Sequence, residues 1–220
     1  MEMKSKIGAL VILAIFLSLG NAYAQGTAEE HFKQGIVYYK AGNYDEAIKE
    51  YNTALSIDPN HDVTYYNRGM AYAMKGDLNQ AISDYTKAIA LSPNYFEAYV
   101  NRGTAYFHKN DLEQSIADFN KAIEINPNKP DVYFYRGLAE GSRGGAEGNE
   151  GDIDKAIADY TQAIRMNPNY SEAFSARAGA YLLKKEYNKS WEDVHRVESL
   201  GSQVKPDFLD MLKKASGREK

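Results

Sequence analysis

Residues 62–95 read DVTYYNRGMAYAMKGDLNQAISDYTKAIALSPNY, and residues 96–129 read FEAYVNRGTAYFHKNDLEQSIADFNKAIEINPNK. Each segment is 34 residues long, and the two place an aromatic residue, a glycine, a second aromatic residue and a proline at equivalent positions. The prolines recur along the chain at spacings of 34, 34 and 41 residues: Pro59, Pro93, Pro127 and Pro168. Self-similarity at a fixed period of this length is typical of stacked structural repeats.

Each repeat predicts two helices. In residues 62–95 the first helix carries Tyr65, Gly69 and Tyr72 at helical spacing, and Gly76-Asp77 breaks it, with the aspartate able to cap the next helix. The second helix carries an apolar stripe: Ala81, Ile82, Tyr85, Ala88 and Ile89. Pro93 cannot continue the helical hydrogen-bond ladder, so the hairpin ends there.

The period divides the chain into five repeats, followed by a C-terminal segment. The predicted repeats are 28–61, 62–95, 96–129, 130–170 and 171–204. The fourth is seven residues longer than the others, and we interpret the glycine-rich insert near 144–150 as a flexible surface loop or a partner contact. Residues 205–220 predict a short amphipathic capping helix and a basic tail.

Small and large residues alternate in a way that predicts how a hairpin closes. Glycines in the first helix cost helix propensity, so we expect a second backbone to approach them closely. We expect the alanines of the second helix to face these glycines: Ala47, Ala81 and Ala156. We expect the rings to fill the space between neighbouring hairpins: Tyr51, Tyr85, Phe119 and Tyr160. The recurring arginines are interpreted as salt bridges between neighbouring hairpins: Arg68, Arg102, Arg136 and Arg177.

This pattern resembles the tetratricopeptide repeat family. The second repeat carries the residues of the family signature in order: Tyr65, Gly69, Tyr72, Ala81, Tyr85, Ala88 and Pro93. The third repeat does the same: Tyr99, Gly103, Tyr106, Ser115, Phe119, Ala122 and Pro127. The fourth departs from it, with Glu140 in place of the tyrosine. The resemblance implies an all-α fold, a right-handed superhelix of about five helical hairpins plus the C-terminal capping helix, and a role in binding other proteins.

The resemblance also implies a concave, peptide-binding groove lined by the first helix of each repeat. Its positions fall on the following residues: Phe32, Lys33, Ile36, Tyr39, Tyr66, Asn67, Met70, Met74, Val100, Asn101, Thr104, Phe107, His108, Phe134, Tyr135 and Leu138. We expect them to be distinct from the residues of the hairpin core. Aromatic rings and amides of this kind suit an extended peptide.

Composition argues against catalysis and against several other classes of site. The chain has no cysteine, which excludes disulfides and thiolate chemistry, and the histidines are scattered without metal-ligand spacing. We therefore predict no catalytic residues, no metal and no cofactor. The net charge of −4 argues against a nucleic-acid partner, which would need a basic face.

The first 24 residues predict a cleavable secretory signal. Lys4 and Lys6 precede an apolar run at 7–19, and Ala22 and Ala24 supply the small residues of a cleavage site between Ala24 and Gln25. A run this short does not span a bilayer as a helix of about 20 residues does. The mature chain, with a short N-terminus at 25–27, is thus expected to be exported and free of the membrane. Its location would be the periplasm if the source is bacterial, which we favour, and secretion otherwise.

The sequence therefore predicts an exported, non-enzymatic scaffold that binds a peptide segment of a partner protein in its groove, in a role such as envelope assembly or secretion. An alternative is a structural or oligomeric subunit that associates, with itself or with others, through helix edges, the insert or the capping helix. A third alternative is an accessory subunit of an enzyme. The identity of the partner is not encoded in the repeat pattern.

Overall fold

The computed structural model describes residues 26–218, and this part of the chain contains eleven α-helices and no strand. The helices are α1 (Ala28–Lys40), α2 (Tyr44–Ile57), α3 (Asp62–Met74), α4 (Leu78–Leu91), α5 (Phe96–His108), α6 (Leu112–Ile125), α7 (Pro130–Glu147), α8 (Glu150–Met166), α9 (Ser171–Leu183), α10 (Tyr187–Ser199) and α11 (Pro206–Ser216). The predicted all-α fold is confirmed. The predicted signal, with its cleavage site between Ala24 and Gln25, lies outside the described residues.

The first ten helices pack in consecutive pairs as five hairpins, from α1 with α2 to α9 with α10. The chain divides into two compact bodies, one ending at Ser92 and the other beginning at Pro93. The N-terminal body contains the hairpins α1–α2 and α3–α4. The C-terminal body contains the other three hairpins and α11.

Turn chemistry sets where the helices start and stop. Gly76 has a φ of +82°, a conformation that glycine adopts without strain, and it separates α3 from α4. The Asp77 carboxylate then accepts a hydrogen bond of 3.2 Å from the backbone N–H of Gln80, as expected for a helix cap. At the other end of α4, Ser92 leaves the helical region ahead of Pro93. The predicted break and cap at Gly76-Asp77 are confirmed.

The hairpins close by laying an aromatic ring of the second helix across a glycine of the first. A Cβ atom added to Gly69 would lie 2.8 Å from the Tyr85 ring, and one added to Gly35 would lie 2.4 Å from the Tyr51 ring. The same contact joins Gly103 to Phe119 and Gly137 to Tyr160. The ring therefore takes the closest position to each glycine, which was predicted for the alanines; at Gly137 the carbonyl oxygen of Ala156 comes next, 3.3 Å from the added Cβ. The rings also contact the following hairpin, as predicted: Tyr51 clusters with Ala71, and the Phe119 ring stacks on that of Tyr135.

The recurring arginines form ion pairs within a hairpin. Arg68 on α3 donates two hydrogen bonds of 2.7 Å to the carboxylate of Asp84 on α4, and its third nitrogen donates at 2.6 Å to Asn52 on α2. Equivalent carboxylate pairs recur in the C-terminal body: Arg102–Asp118, Arg136–Asp159 and Arg177–Asp193. The ion pair was predicted between neighbouring hairpins. The structure instead puts the charge pair inside one hairpin, and the bonds that reach the preceding hairpin go to neutral side chains: Asn52 from Arg68, Asn120 from Arg136 and Thr161 from Arg177.

The seven-residue insert in the fourth repeat is helical. It lengthens α7 to 18 residues and α8 to 17, compared with 13 in α5 and 14 in α6. Gly148, with a φ of +66°, ends α7, and the Asn149 side chain accepts a 3.0 Å hydrogen bond from the N–H of Gly151 as α8 starts. The loop interpretation of residues 144–150 is therefore wrong. We call residues 141–155 of this hairpin the tip.

Helix α11 packs against the last hairpin. Leu212 is fully buried and belongs to one apolar cluster with Ala178, Trp191 and Val194. The Trp191 indole N–H donates a 3.2 Å hydrogen bond to the hydroxyl of Ser216. Helix α11 thus covers apolar surface that the fifth hairpin would otherwise leave open to water.

Candidate functional site

The predicted groove residues all lie on the first helix of a hairpin. Those of the N-terminal body are on α1 and α3, and those of the C-terminal body are on α5 and α7. Some of these side chains pack against the core of their hairpin, and others are exposed to solvent.

In the N-terminal body, most of the predicted groove residues on α1 belong to the core. Phe32, Ile36 and Tyr39 pack against a buried cluster that includes Tyr51. Lys33 is exposed. The prediction that these side chains are distinct from the hairpin core is therefore wrong for the three apolar ones. Each of the three is nevertheless only partly buried, so part of its surface remains open to solvent.

Helix α3 offers more accessible side chains. Met74 is exposed over 57% of its surface, while Tyr66 and Met70 are half-buried, with the Tyr66 ring centre 5.9 Å from that of Tyr85. The side-chain amide of Asn67 donates a 2.7 Å hydrogen bond to the carbonyl of Val63, one turn earlier in the same helix. A peptide backbone would have to replace that bond.

In the C-terminal body, α5 carries half-buried residues and one exposed histidine. Val100, Asn101 and Thr104 are half-buried, and the Thr104 hydroxyl donates to the carbonyl of Val100 at 2.9 Å. His108 is exposed, with its ring centre 5.8 Å from that of Phe107. Helix α5 therefore presents a mixture of apolar, amide, hydroxyl and imidazole side chains that are at least partly accessible.

Helix α7 places its predicted residues differently. Phe134 and Leu138 pack against the cluster that contains Tyr160 and Ala180, so they too contribute to the core. Tyr135 is 37% exposed, and its ring stacks on Phe119 with the centres 6.1 Å apart. Phe134 and Leu138 also line a cavity in the C-terminal body.

This cavity has a volume of about 510 Å³ and lies between α7, α9, α10 and the segment that leads into α11. Its apolar wall consists of Phe134, Leu138, Ala176, Ala178, Val194, Val197, Val204 and Phe208. Its polar rim consists of Ser171, Glu172, Ser175, Ser202, Gln203 and Lys205. Of the predicted groove residues, only Phe134 and Leu138 line it. We call this site the C-terminal pocket.

Sequence reasoning missed most of the C-terminal pocket, because the predicted groove ended at the fourth repeat, whereas most of the lining residues belong to the fifth repeat and the segment after it. The segment at 202–205 has no repeat periodicity, and Phe208 belongs to the helix that was predicted only as a cap. The pattern of apolar residues in 206–212 indicated that this helix would cover the fifth hairpin. That pattern did not indicate that α11 would leave a pocket between itself and the fifth hairpin.

The rim of the C-terminal pocket can form hydrogen bonds with a ligand. Ser175, Gln203, Lys205 and Glu172 are all exposed, and they offer a hydroxyl, an amide, an ammonium group and a carboxylate around an apolar interior. Tyr170, beside this rim, is 5.1 Å from the ring centre of Phe134. Burial and the Asp131 carboxylate raise the pKa of the Tyr170 phenol, so it stays neutral at physiological pH. Convergent polar groups around an apolar interior are typical of a binding site.

Within residues 26–218, no group of three or more histidine, cysteine, aspartate or glutamate side chains could hold a metal ion. Each of the five aspartates that are buried in the described residues is paired with an arginine: Asp84, Asp118, Asp152, Asp159 and Asp193. The sixth buried acid, Glu140, has one carboxylate oxygen without a hydrogen-bond partner among the described residues.

Comparisons with known proteins agree with this fold. A model described as "TPR repeat" matches residues 35–76 and 103–141, and models described as "Tetratricopeptide repeat" match 63–95, 84–117 and 143–190. Together these matches include nearly all of residues 35–190. A search of curated protein sequences gave no significant match.

Solved structures include several similar proteins. A crystal structure of MamA is 28% identical, with a TM-score of 0.71 over 76% of this chain and 94% of that one. MamA from Desulfovibrio magneticus RS-1 is 20% identical, with a TM-score of 0.73 over 79% of this chain and 94% of that one. YrrB, described as a TPR protein with an unusual peptide-binding site, is 19% identical, with a TM-score of 0.71 over 92% of this chain and 97% of that one.

The repeat period, the glycine–ring contacts in each of the first four hairpins and the family matches all lead to the same assignment. The chain belongs to the tetratricopeptide repeat family.

Proposed function

We propose that this chain is a non-catalytic scaffold that binds a peptide segment of a partner protein in the C-terminal pocket. The observation that carries the proposal is the combination of an open apolar interior of about 510 Å³ with an exposed polar rim. Volumes of about 300–1,000 Å³ are usual for ligand sites. Among the predicted groove residues, Phe134 and Leu138 are the two that line this apolar interior, where a peptide side chain would be removed from water.

The chemistry of the pocket defines the peptide. Phe134, Val197 and Phe208 offer apolar contacts, which favour a bulky aliphatic or aromatic anchor side chain. Ser175 and Gln203 at the mouth can pair with the N–H and C=O groups of an extended backbone. Tyr135, which is exposed on α7, offers a further contact for the peptide residues next to the anchor side chain. YrrB supports the general idea, since that protein is described as having a peptide-binding site.

The place of action is part of the proposal. The basic start, apolar run and small-residue site of residues 1–24 favour export, and hence a partner outside the cytoplasm, in the periplasm if the source is bacterial. Among residues 26–218, no helix is both long enough and apolar enough to cross a bilayer. Envelope assembly or secretion would fit such a scaffold.

A matched pair of substitutions tests the proposal. A peptide is selected from a display library on the chain that starts at Gln25, and its Kd is measured by fluorescence anisotropy. Ser175→Trp places an indole at the pocket mouth from an exposed helical position, without removing a core side chain. Ser83→Trp makes the same change at an exposed position on α4 in the other body. We expect Ser175→Trp to weaken binding by about tenfold or more, and Ser83→Trp to leave it nearly unchanged.

The same experiment separates this function from the assembly alternative. If Ser175→Trp binds the selected peptide as tightly as the unchanged chain, the pocket is not the site. Sedimentation velocity of both variants then shows whether the chain associates with itself through another surface. Self-association that neither substitution alters would favour the structural subunit.

A further inference from the structure

Glu140 on α7 is a buried acid without a partner for one of its oxygens. It stands where the other repeats have a tyrosine, such as Tyr72 and Tyr106, and its side chain faces α8 in the long hairpin. Only 6% of its surface is exposed, and its Oε2 atom has no hydrogen-bond partner among the described residues. A buried carboxylate in this state is costly, because burial removes the water that would stabilise its charge.

The positive groups near Glu140 are engaged by other acids. Arg136 donates two hydrogen bonds of 2.7 Å to Asp159, and Lys155 donates at 2.9 Å to Asp152. Asp159 and Asp152 are themselves buried. Glu140 is therefore a third buried acid, beside two aspartates that already accept the hydrogen bonds of these cations.

The other charged groups around α7 also have partners of their own. These pairs are Arg143–Asp152 and Arg143–Glu113 beside the tip, Arg102–Asp118 on α5 and α6, Arg177–Asp193 on α9 and α10, and Lys184–Asp154 between α9 and α8. Burial, and then the charge of Asp159, raise the pKa of Glu140 to about 7, against the smaller opposing effects of Arg136 and Lys155.

The helices around Glu140 lie too close together to admit water without moving. A Cβ atom added to Gly144 would lie 2.9 Å from the Ile153 side chain and 3.0 Å from the Ile153 backbone nitrogen. One turn earlier, a Cβ added to Gly141 would lie 3.3 Å from the Tyr160 hydroxyl. Hydrating an ionised Glu140 therefore requires α7 and α8 to separate near the tip.

We propose that Glu140 is a proton-operated latch, which holds the α7–α8 hairpin closed when the carboxyl is protonated and loosens it when the carboxyl is ionised. Because α7 also carries Phe134 and Leu138, the latch would couple proton concentration to the wall of the C-terminal pocket. The latch itself does not depend on peptide binding. Its tests use the free chain, so they can succeed or fail independently of the proposed function.

The direction of the pH effect follows from the raised pKa. The folded hairpin holds a proton on Glu140 up to about pH 7, whereas the opened hairpin releases it near the ordinary value of 4.5. The stabilising contribution is complete below pH 4.5 and is lost as the pH rises towards 7. The difference corresponds to a change on the order of 100-fold in the equilibrium between closed and opened hairpin.

Hydrogen–deuterium exchange tests the latch on the chain that starts at Gln25. Protection factors, corrected for intrinsic exchange, are compared at about pH 5 and about pH 8 for the α7–α8 hairpin, with α3–α4 as the internal reference. We expect protection of α7–α8 to fall by at least about tenfold at the higher pH, and Glu140→Gln to abolish that fall. Glu147→Gln, an exposed acid on the same helix, is the matched control and should behave like the unchanged chain. A fall that persists in Glu140→Gln, or no fall in the unchanged chain, would overturn the proposal.

A second measurement needs no variant. The chemical shift of the side-chain carboxyl carbon of Glu140 is followed by NMR through a pH titration of the unchanged chain. The signal is assigned through its neighbours in the tip. A midpoint well above that of exposed glutamates, near neutral pH, supports the latch. A midpoint near 4.5 would overturn it, even if Glu140→Gln failed to fold.

Discussion

At the scale of single residues, the glycines of the first helices decide how closely each hairpin closes. Gly69 lies under the ring of Tyr85, whereas Gly179 on α9 has open space where a Cβ atom would be. The two positions are both helical, so they have the same intrinsic preference for alanine over glycine. Only the space around them differs, which makes them a matched pair.

We therefore expect Gly69→Ala to lower the free energy of unfolding and Gly179→Ala to raise it. An added methyl group at Gly69 would overlap the ring of Tyr85 and cost about 1–3 kcal/mol, outweighing a gain of about 1 kcal/mol in helix propensity. At Gly179 no atom lies within 4 Å of the added methyl group, so only the gain in helix propensity remains. Urea unfolding followed by circular dichroism measures both, and equal effects of the two substitutions would contradict the close-approach explanation.

The arginine–aspartate pairs make a second prediction at this scale. Asp84 is 4% exposed and receives two hydrogen bonds from Arg68, so Asp84→Ala leaves a half-buried guanidinium without its carboxylate. We expect a loss of about 3 kcal/mol in the free energy of unfolding. Glu124→Ala, which removes an exposed pair with Lys121, is the control and should have little effect. Comparable losses for the two would show that the buried pair has no special role.

At the scale of helices, α11 is the element whose contribution is easiest to isolate. Leu212 is fully buried against the last hairpin, while its neighbour Met211 is 55% exposed. Leu212→Ala should cost about 2–5 kcal/mol, because it opens a cavity beside Trp191, and Met211→Ala should be close to neutral. The chain has one tryptophan, so the shift of Trp191 emission to longer wavelength reports the loosening directly. No difference in emission between the two variants would argue against α11 as a cover for the hairpin.

The sequence predicted the helices well and the contacts between them less well, for a physical reason. Ala81 and Tyr85 lie one turn apart on the same stripe, so periodicity alone cannot tell which of them meets Gly69. Glycines at 144 and 145 looked like a flexible loop from composition. The structure shows that Gly144 is needed where α8 passes close by, and the Arg143–Asp152 pair that supports the tip joins residues on opposite arms.

The candidate site was predictable only in part. Phe134 and Leu138 were predicted from their repeat positions, because both are on the first helix of their hairpin. Most of the rest of the C-terminal pocket belongs to the fifth repeat, to which the groove prediction did not extend, while Lys205 and Phe208 lie beyond the last repeat, where no period constrains the packing. The apolar residues on α1 were assigned to a groove, and the structure shows that they also pack, partly buried, against the hairpin core.

At the scale of the whole molecule, the prediction of export rests on residues 1–24, which lie outside the described part of the chain. When the full chain is produced in a bacterium with its own first 24 residues, we expect the mature protein to begin at Gln25. Intact-mass spectrometry of the periplasmic fraction measures this. Substitution of Ala24 by a large residue should block cleavage, and a chain that keeps Met1 in the cytoplasm would contradict the assignment.

The central claim is that a partner's peptide enters the C-terminal pocket, and site-specific photocrosslinking in cells tests it most directly. A photoreactive phenylalanine analogue is placed at Ser175 on the pocket rim or, as the control, at Ser83 on the N-terminal body, and crosslinked segments are identified by mass spectrometry. We predict that position 175 captures a defined segment of one partner protein with an apolar residue at the crosslink, and that position 83 does not. Capture of the same partner equally from both positions, or from position 83 alone, would contradict the claim.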